Sequence, residues 1–282
     1  MEKKLGNGKR SKIRLITVAV ILLILLPGLY CRLKVVDYSF ESDLISSPVR
    51  IALVTDLHSC WYGKDQKNLI EAIDEQSPDI VLLGGDFFDD RLKNDNCEEF
   101  LKGISGRYPV YYVTGNHEYW STSDKFREEM EILDRYGVIR LQGQGEMLEI
   151  NGNNIMLAGV NDPDAFYQSE TGGLDGQLAE AAADIPDDMY SILLSHRPEL
   201  FNEYSGLGFD LVLTGHAHGG QWRIPGLING IFAPNQGLLP EYAGGLYTDG
   251  DMTMVVSRGL ARESTLVPRL YNRPELVIID IT

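Results

Sequence analysis

Short apolar runs bounded by turn residues recur from about residue 50 to the end of this chain. The runs are rich in β-branched residues, and their length and composition predict strands. Because they are almost continuously apolar, we expect both faces of each strand to be covered. The predicted strands span residues 51–54, 80–83, 110–113, 155–158, 192–194, 211–213, 254–256 and 276–279.

Between these runs lie segments with helical length and apolar spacing, at residues 64–76, 97–104, 125–136 and 176–183. Strands alternating with helices predict an α/β architecture. No repeat or low-complexity tract divides the chain, so we expect one domain over residues 35–282. In such folds ligands collect beyond the carboxyl ends of the strands.

The N-terminal segment, residues 1–34, has a different pattern. An uncharged apolar run covers residues 15–30, and with Ile13 included it is long enough to cross a thin bilayer, over about 13–30. No small-residue cleavage pattern follows it, so an uncleaved anchor is favoured over a cleaved signal peptide. The basic residues that precede the run predict a single-pass protein of the cell membrane, with a cytoplasmic N-terminus and an extracytoplasmic domain.

The net charge of the chain restricts the kinds of partner that it can bind. The formal charge is −16, and eight of the 25 Lys and Arg lie within the first 34 residues, so the rest of the chain is more acidic still. Such a surface repels phosphate backbones, and no nucleic-acid partner is expected. Of the three cysteines, Cys60 and Cys97 each follow a polar turn after a predicted strand and could pair or remain free thiols. The oligomeric state is left open.

Polar clusters follow five of the predicted strands, and together they contain all five histidines. Alternate residues of an extended Asp-x-His or His-x-His pair share a face, so their side chains can converge. The clusters are Thr55-Asp56-Leu57-His58, Gly84-Gly85-Asp86-Phe87-Phe88-Asp89, Gly115-Asn116-His117-Glu118, Ser195-His196-Arg197 and Gly215-His216-Ala217-His218-Gly219-Gly220.

The donor types indicate metal chemistry. Imidazoles, carboxylates and an amide oxygen suit Mn, Fe or Zn better than Ca or Mg, which prefer oxygen ligands. The set is too large for one ion, so two divalent metal ions are predicted. The candidate ligands are Asp56, His58, Asp86, Asn116, His196, His216 and His218.

The order Asp-x-His, Gly-Asp-x-x-Asp, Gly-Asn-His-Glu, His, Gly-His-x-His resembles the calcineurin-like metallophosphoesterase family. The resemblance spans residues 56–218. It implies an α/β fold of two packed mixed β-sheets flanked by helices, a four-layer α/β/β/α sandwich. It also implies that Asp56, His58, Asp86 and His218 hold one ion, and that Asp86, Asn116, His196 and His216 hold the other, with Asp86 bridging.

The resemblance also assigns roles beyond the ligands. His117 has the place of the residue that protonates the leaving oxygen or stabilises the transition state. Asp89 and Glu118 are expected to orient ligands. Asp89 stands where purple acid phosphatases carry a metal-bound Tyr, which excludes that branch. Arg197 and Arg258 are candidates for contacting substrate phosphate, with ordinary salt bridges as the alternative.

Within the family, the membrane anchor, the Gly-His-Ala-His-Gly-Gly-Gln form and the closing Asn272-Arg273-Pro274-Glu275 resemble bacterial membrane-associated phosphodiesterases. The resulting hypothesis is a membrane-anchored phosphohydrolase that cleaves phosphodiesters through metal-bound hydroxide. Two alternatives stay open. One is a lipid-linked pyrophosphatase, such as one acting on UDP-2,3-diacylglucosamine, and the other is a non-catalytic metal-binding scaffold or phosphate-sensing module.

The segment 219–247 follows the last metal motif and is rich in Gly, Pro and apolar residues. Exposed near a membrane, it could receive a lipid-linked phosphoester. Burial under the sheet is the simpler expectation. Near Arg258 the chain reads Gly259-Leu260-Ala261, where relatives often have Gly-Leu-Gly, which makes substrate specificity the property least transferable from the family.

Overall fold

The computed structural model describes residues 3–167, 173–183, 185–264 and 267–282. Met1 and Glu2, which belong to the predicted basic N-terminus, lie outside the described residues. Two six-stranded sheets form the centre of the fold, and a two-stranded ribbon lies apart from them. All eight predicted strands are present, most of them a residue or two longer than predicted.

The first sheet has the order β1-β14-β2-β3-β4-β5. Strand β14 is antiparallel to β2, whereas the other neighbours are parallel, so the sheet is mixed. Its strands are β1 Lys34–Phe40, β2 Val49–Val54, β3 Ile80–Gly84, β4 Val110–Val113, β5 Ile139–Arg140 and β14 Glu275–Ile281.

The second sheet has the order β12-β13-β9-β8-β7-β6 and is also mixed, because its two outermost pairs are antiparallel. Its strands are β6 Gly145–Ile150, β7 Asn153–Gly159, β8 Tyr190–Leu194, β9 Leu211–Thr214, β12 Gly245–Asp249 and β13 Met252–Val256. The ribbon pairs β10 Phe232–Ala233 with β11 Gly237–Leu238. The four edge strands β1, β5, β6 and β12 have polar or partly exposed faces and, like the two ribbon strands, were not predicted.

Helices cover the outer face of each sheet, as the continuous apolarity of the strands predicts. α2, α3 and α5 pack on the first sheet, and α6 and α7 on the second. The helices are α1 Lys3–Gly28, α2 Lys67–Gln76, α3 Asp95–Ile104, α4 Asn116–Trp120, α5 Ser123–Arg135, α6 Gly173–Ala182 and α7 Phe201–Tyr204. The short α4 and α7 were missed, because few residues carry their pattern.

The cores show why the strands are apolar throughout. On β2, Ile51 and Leu53 point into the core between the two sheets, while Ala52 and Val54 point into the core beneath the helices. Each fully buried aliphatic side chain contributes about 1.5–3 kcal/mol, so both faces stabilise the sandwich. The four-layer α/β/β/α arrangement expected from the family resemblance is confirmed.

The N-terminal helix is longer than the predicted span. α1 begins at Lys3 and ends at Gly28, and its stretch Ser11–Gly28 is the one described helix long and apolar enough to cross a membrane. This rests on length and composition. Cys60 and Cys97 are both buried as free thiols, and the Cys97 thiol donates to the carbonyl of Phe87 at 3.0 Å.

The apolar segment after the last metal motif is largely exposed, so the expectation of burial is wrong for six of its eight large apolar side chains. Ile231 and Tyr242 are half-buried. The exposed six are Trp222, Ile224, Leu227, Phe232, Leu238 and Leu239.

Candidate metal centre

Two groups that together contain six of the seven predicted metal ligands lie at one end of the sandwich. Each group consists of three side chains whose ligand atoms all lie within 4.8 Å of one another. All six side chains are buried. Their residues lie in the loops that follow the carboxyl ends of strands β2, β3, β8 and β9. The first group is Asp56, His58 and His218, and the second is Asp86, His196 and His216.

Asp86 connects the two groups. Its Oδ2 atom lies 3.5 Å from His58 Nε2 in the first group and 3.1 Å from His196 Nε2 in the second. Its Oδ1 atom accepts a hydrogen bond from the backbone amide of His117 at 2.8 Å, which brings the loop that carries Asn116 to the same carboxylate. One carboxylate therefore reaches both groups.

Among the described residues, several buried polar atoms of the centre have no hydrogen-bond partner and are free to bind a metal ion. Leaving such atoms unpaired is costly unless a cation takes that place. They are Asp56 Oδ2, Asp86 Oδ2, Asn116 Oδ1, His218 Nδ1 and both ring nitrogens of His58.

Two of the imidazoles are oriented by contacts to the ring nitrogen that faces away from the centre. His196 Nδ1 lies 2.9 Å from the carbonyl oxygen of Gly84, so that N–H donates outward and Nε2 faces Asp86. His216 Nε2 lies 2.9 Å from Asn235 Oδ1, which leaves Nδ1 facing His196. Metal-binding histidines in proteins are characteristically oriented by such contacts on the other ring nitrogen.

The backbone is strained at the same residues. Non-glycine residues rarely adopt positive φ, and each such conformation costs about 1–3 kcal/mol. Strain of this kind concentrates at functional sites, where surrounding contacts hold it in place. The values are 51° at Asp56, 47° at His58, 48° at Asp86, 62° at His216 and 47° at His218.

Glycines allow the loops to come this close. Gly85 has φ of 84°, and a Cβ atom there would lie 2.6 Å from His196 Nδ1. A Cβ atom on Gly215 would lie 2.6 Å from Asp56 Oδ2. A side chain at either position would displace a potential ligand, which explains the glycines of the Gly-Gly-Asp and Gly-His motifs.

Burial and neighbouring charges shift the pKa values of the side chains in the centre. Burial raises the pKa of Asp56. Burial acts in the same direction on Asp86, but the neighbouring His196 outweighs it and holds the pKa of Asp86 well below its usual range. Asp86 in turn overcomes burial and raises the pKa of His196 to about 10. Burial and neighbouring positive charge lower the pKa of His216 and His218 well below the usual range, so both are available as neutral ligands.

Asp89 and Glu118, the two predicted orienting residues, both contact the loops of the centre. Asp89 Oδ2 is 3.3 Å from His58 Nδ1, and its Oδ1 accepts from the amides of Arg91 and Leu92 at 2.9 and 2.8 Å. The buried Glu118 carboxylate accepts from the amides of Gly115, Asp86 and Phe88, at 2.7, 3.2 and 3.0 Å. Glu118 thus joins the loops that follow β3 and β4.

His117 lies at the edge of the centre and is more exposed than the other histidines. Its Nδ1 atom is 2.7 Å from Asp90 Oδ1 and 3.7 Å from Asp89 Oδ2. The hydrogen bond to Asp90 leaves Nε2 as the ring nitrogen available to a substrate. A cavity of about 530 Å³ opens here, and its lining includes His117, His218 and Asp90.

The two arginines differ in position. Arg197 is buried beside the second group, with Nη1 3.3 Å from His216 Nε2 and Nη2 donating to Asp162 Oδ1 at 2.8 Å. Arg258 instead lies against Glu275, at 3.2 Å. Both therefore make salt bridges, and only Arg197 does so at the centre.

Three further residues contact the centre and were not predicted. Asp90 adjoins Asp89, so the acidic pair itself was an available signal. Asp162 follows β7 in a polar turn, the same signal that identified the other clusters. Asn235 lies 19 residues from His216 in an apolar loop, and no local pattern marks it.

Fold and site together define a metal-dependent phosphoesterase. The family model of calcineurin-like phosphoesterases matches residues 49–220, and the chain belongs to this family. Its cofactor is accordingly a pair of divalent metal ions, for which the two side-chain groups described above provide donors.

Two curated relatives extend the similarity over most of the chain. An uncharacterized metallophosphoesterase of Aquifex aeolicus is 29% identical over 259 residues, which cover 88% of this chain and 92% of the relative. The phosphodiesterase YaeI of Escherichia coli is 28% identical over 240 residues, covering 84% and 83%.

Among solved structures, the phosphopantetheinyl hydrolase PptH of Mycobacterium tuberculosis superposes with a TM-score of 0.50 at 13% identity. The match covers 77% of this chain and 92% of that one. At this identity the likeness supports the fold alone.

Proposed function

We propose that the protein is a membrane-anchored phosphodiesterase that works with two divalent metal ions. The observation that carries this proposal is the position of Asp86, whose carboxylate reaches both groups of potential ligands, next to a cavity that also contains His117. Asp56, His58, Asp86 and His218 would hold one ion, and Asp86, Asn116, His196 and His216 the other. The mixed donors favour Mn, Fe or Zn.

The protein's own residues supply the rest of the chemistry. When bound, the ions supply an acidified water and positive charge against the phosphate oxygens. His117 Nε2 donates a proton to the leaving oxygen as its bond to phosphorus breaks, while Asp90 fixes the ring. Asp162 holds the Arg197 guanidinium 3.3 Å from His216 Nε2. Burial, together with the positive charge of that guanidinium, lowers the pKa of His216 and favours the neutral imidazole that can bind metal.

The test of this function is turnover by the full-length chain in detergent. Hydrolysis of an aryl phosphodiester should disappear after treatment with a chelator and return when Mn is added. Tight Mn binding without turnover would contradict the enzyme and support the non-catalytic module instead.

Asp90 is a positioning residue in this proposal. Asp90→Asn should lower kcat by about 10–100-fold, the usual range for partners that orient a functional histidine, while bound metal is unchanged. In a His117→Ala background the same change should have little further effect, because the two residues act as a unit. Steady-state kinetics of the single and double variants, with metal content measured in each, tests this. Equal loss in both backgrounds would assign Asp90 a merely structural role.

The anchor is the helix α1, and the basic residues before it favour a cytoplasmic N-terminus with the catalytic domain outside. A reporter enzyme fused after Thr282 should be active only on the extracytoplasmic side. A cytoplasmic reporter signal would reverse this topology.

A lipid-linked pyrophosphatase is the second candidate function. It is favoured by the cavity lining, which contains Trp222, Ile231 and Phe232 as well as His117 and offers apolar contacts to an acyl or prenyl portion. The proposed topology counts against cytoplasmic nucleotide lipids such as UDP-2,3-diacylglucosamine. Turnover of lipid pyrophosphates in preference to simple phosphodiesters would decide for this candidate.

A further inference from the structure

The exposed apolar side chains after the last metal motif all belong to one hydrogen-bonded segment, residues 222–239. Trp222, Ile224, Leu227, Phe232, Leu238 and Leu239, hereafter the apolar loop face, are all exposed, and Leu227 and Leu238 are 79% and 77% exposed. Backbone hydrogen bonds hold the segment together, from Ile231 to Trp222 at 2.9 Å and from Leu239 to Ile231 at 2.8 Å. The arrangement is ordered, yet the described residues leave it uncovered.

The apolar loop face is fixed relative to the end of α1. Trp222 pairs with Leu270, and its indole N–H donates to the carbonyl of Pro268 at 2.9 Å. Tyr271, which follows Leu270, donates its backbone N–H to the carbonyl oxygen of Gly28 at 2.6 Å, and Gly28 is the last residue of α1. One short segment, 268–271, therefore contacts both the helix end and the loop.

A second set of contacts holds residues 30–33, which follow α1, against the catalytic domain. The Arg273 guanidinium lies over the Tyr30 ring, 5.0 Å from its centroid. It also donates to the carbonyls of Arg32 and Leu33, at 2.9 and 2.7 Å. The chain then enters β1, so the helix leaves the domain without a free linker.

The composition of the loop differs from that of the body. Residues 220–240 contain one arginine and no Asp or Glu, in a chain with 41 acidic residues. An acidic surface is repelled by anionic lipid, whereas an uncharged one with Trp and Phe suits the interface between head groups and acyl chains. The loop is thus the part of the domain that a membrane surface would accept.

We infer that the apolar loop face inserts into the interfacial layer of the same bilayer that α1 crosses. This rests on the proposed membrane anchoring. The occupant is lipid because the face lies beside the helix exit, on the same supporting segment. The catalytic cavity includes Trp222 and Phe232 in its lining and therefore opens at the membrane surface. Asn235, in the same loop, contacts His216, so the seated loop also supports the metal centre.

The test uses nitroxide probes on the full-length chain in nanodiscs that contain anionic and neutral phospholipid. Cys31→Ser removes the one cysteine that is not buried. Single cysteines are then placed at Leu22 on the helix, at Leu238 on the apolar loop face, and at Met147 as the matched control. Met147 is an exposed apolar residue, 62% accessible, on β6 at the opposite edge of the second sheet from β12.

Collision with oxygen and with a water-soluble nickel chelate reports the surroundings of each probe. Oxygen is enriched in lipid, so we expect probes at 22 and 238 to collide more with oxygen than with the nickel chelate. The probe at 147 should collide more with the nickel chelate, because it lies in water. A probe at 238 that behaves like the one at 147, while 22 is in lipid, overturns the inference and leaves the anchor intact. If the probe at 22 also favours nickel, the anchoring proposal fails, and the inference with it.

A second copy of the chain is the other possible occupant. Spin–spin broadening at 238 in nanodiscs holding two copies, absent in those holding one, would show that protein covers the face and would overturn the inference. Melting temperatures equal to the parent's verify that each labelled variant is folded.

Discussion

Asp86→Ala should abolish hydrolysis of an aryl phosphodiester, with kcat/KM lower by about 10³-fold or more. The Asp86 carboxylate lies near both ligand groups, 3.5 Å from His58 Nε2 and 3.1 Å from His196 Nε2. Its removal takes a donor from both proposed ions at once. Since bound metal contributes several kcal/mol to transition-state stabilisation, the loss should be of this order. Metal analysis of the purified variant should show reduced occupancy.

The matched control is Asp210→Ala. Asp210 lies at the opposite end of the sandwich, before β9, where it accepts from the Ser191 amide at 2.8 Å. Its loss should lower the melting temperature and leave kcat/KM per folded molecule within about threefold, because it contacts no proposed ligand. Full turnover by a metal-replete Asp86→Ala variant would contradict the two-ion proposal.

His117→Ala should separate metal binding from catalysis. His117 lies at the cavity, hydrogen-bonded to Asp90, while the six clustered ligands are deeper. We expect metal content equal to the parent and kcat lower by about 10²–10⁴-fold, the usual contribution of a proton donor. The loss should be largest for an alkyl leaving group, which needs a proton. It should be smallest for a nitrophenolate, which leaves readily without one.

This dependence on the leaving group distinguishes proton donation from other roles. A loss of kcat that is equal for alkyl and nitrophenyl esters would assign His117 to charge stabilisation. A loss of metal would assign it to ligation, as a member of the group that His58, Asp89 and His117 form within 4.8 Å. His117→Gln is the companion variant, because it keeps a polar side chain and cannot donate an acidic proton.

Local patterns predicted much of the fold and the centre. Strands covered on both faces carry apolar residues at every position, as in Ile80–Gly84, so their presence was evident from short runs. The predicted ligands were evident for a related reason, because each follows such a strand within a few residues. The edge strands were missed because they lack a continuous apolar run. In Gly145–Ile150, for example, charged and partly exposed side chains interrupt the apolar positions.

Tertiary structure alone decided the contacts that join distant loops. The sequence determined which side chains could bind metal and in what order they occur, since ligand chemistry is a property of residue type and local spacing. Only the folded chain shows that His117 lies closer to Asp90 than to Asp89, and that Asn235 contacts His216. The same holds for the segment 268–271, which connects the helix end to the apolar loop. These contacts depend on how segments far apart in the sequence pack against each other, which no local pattern encodes.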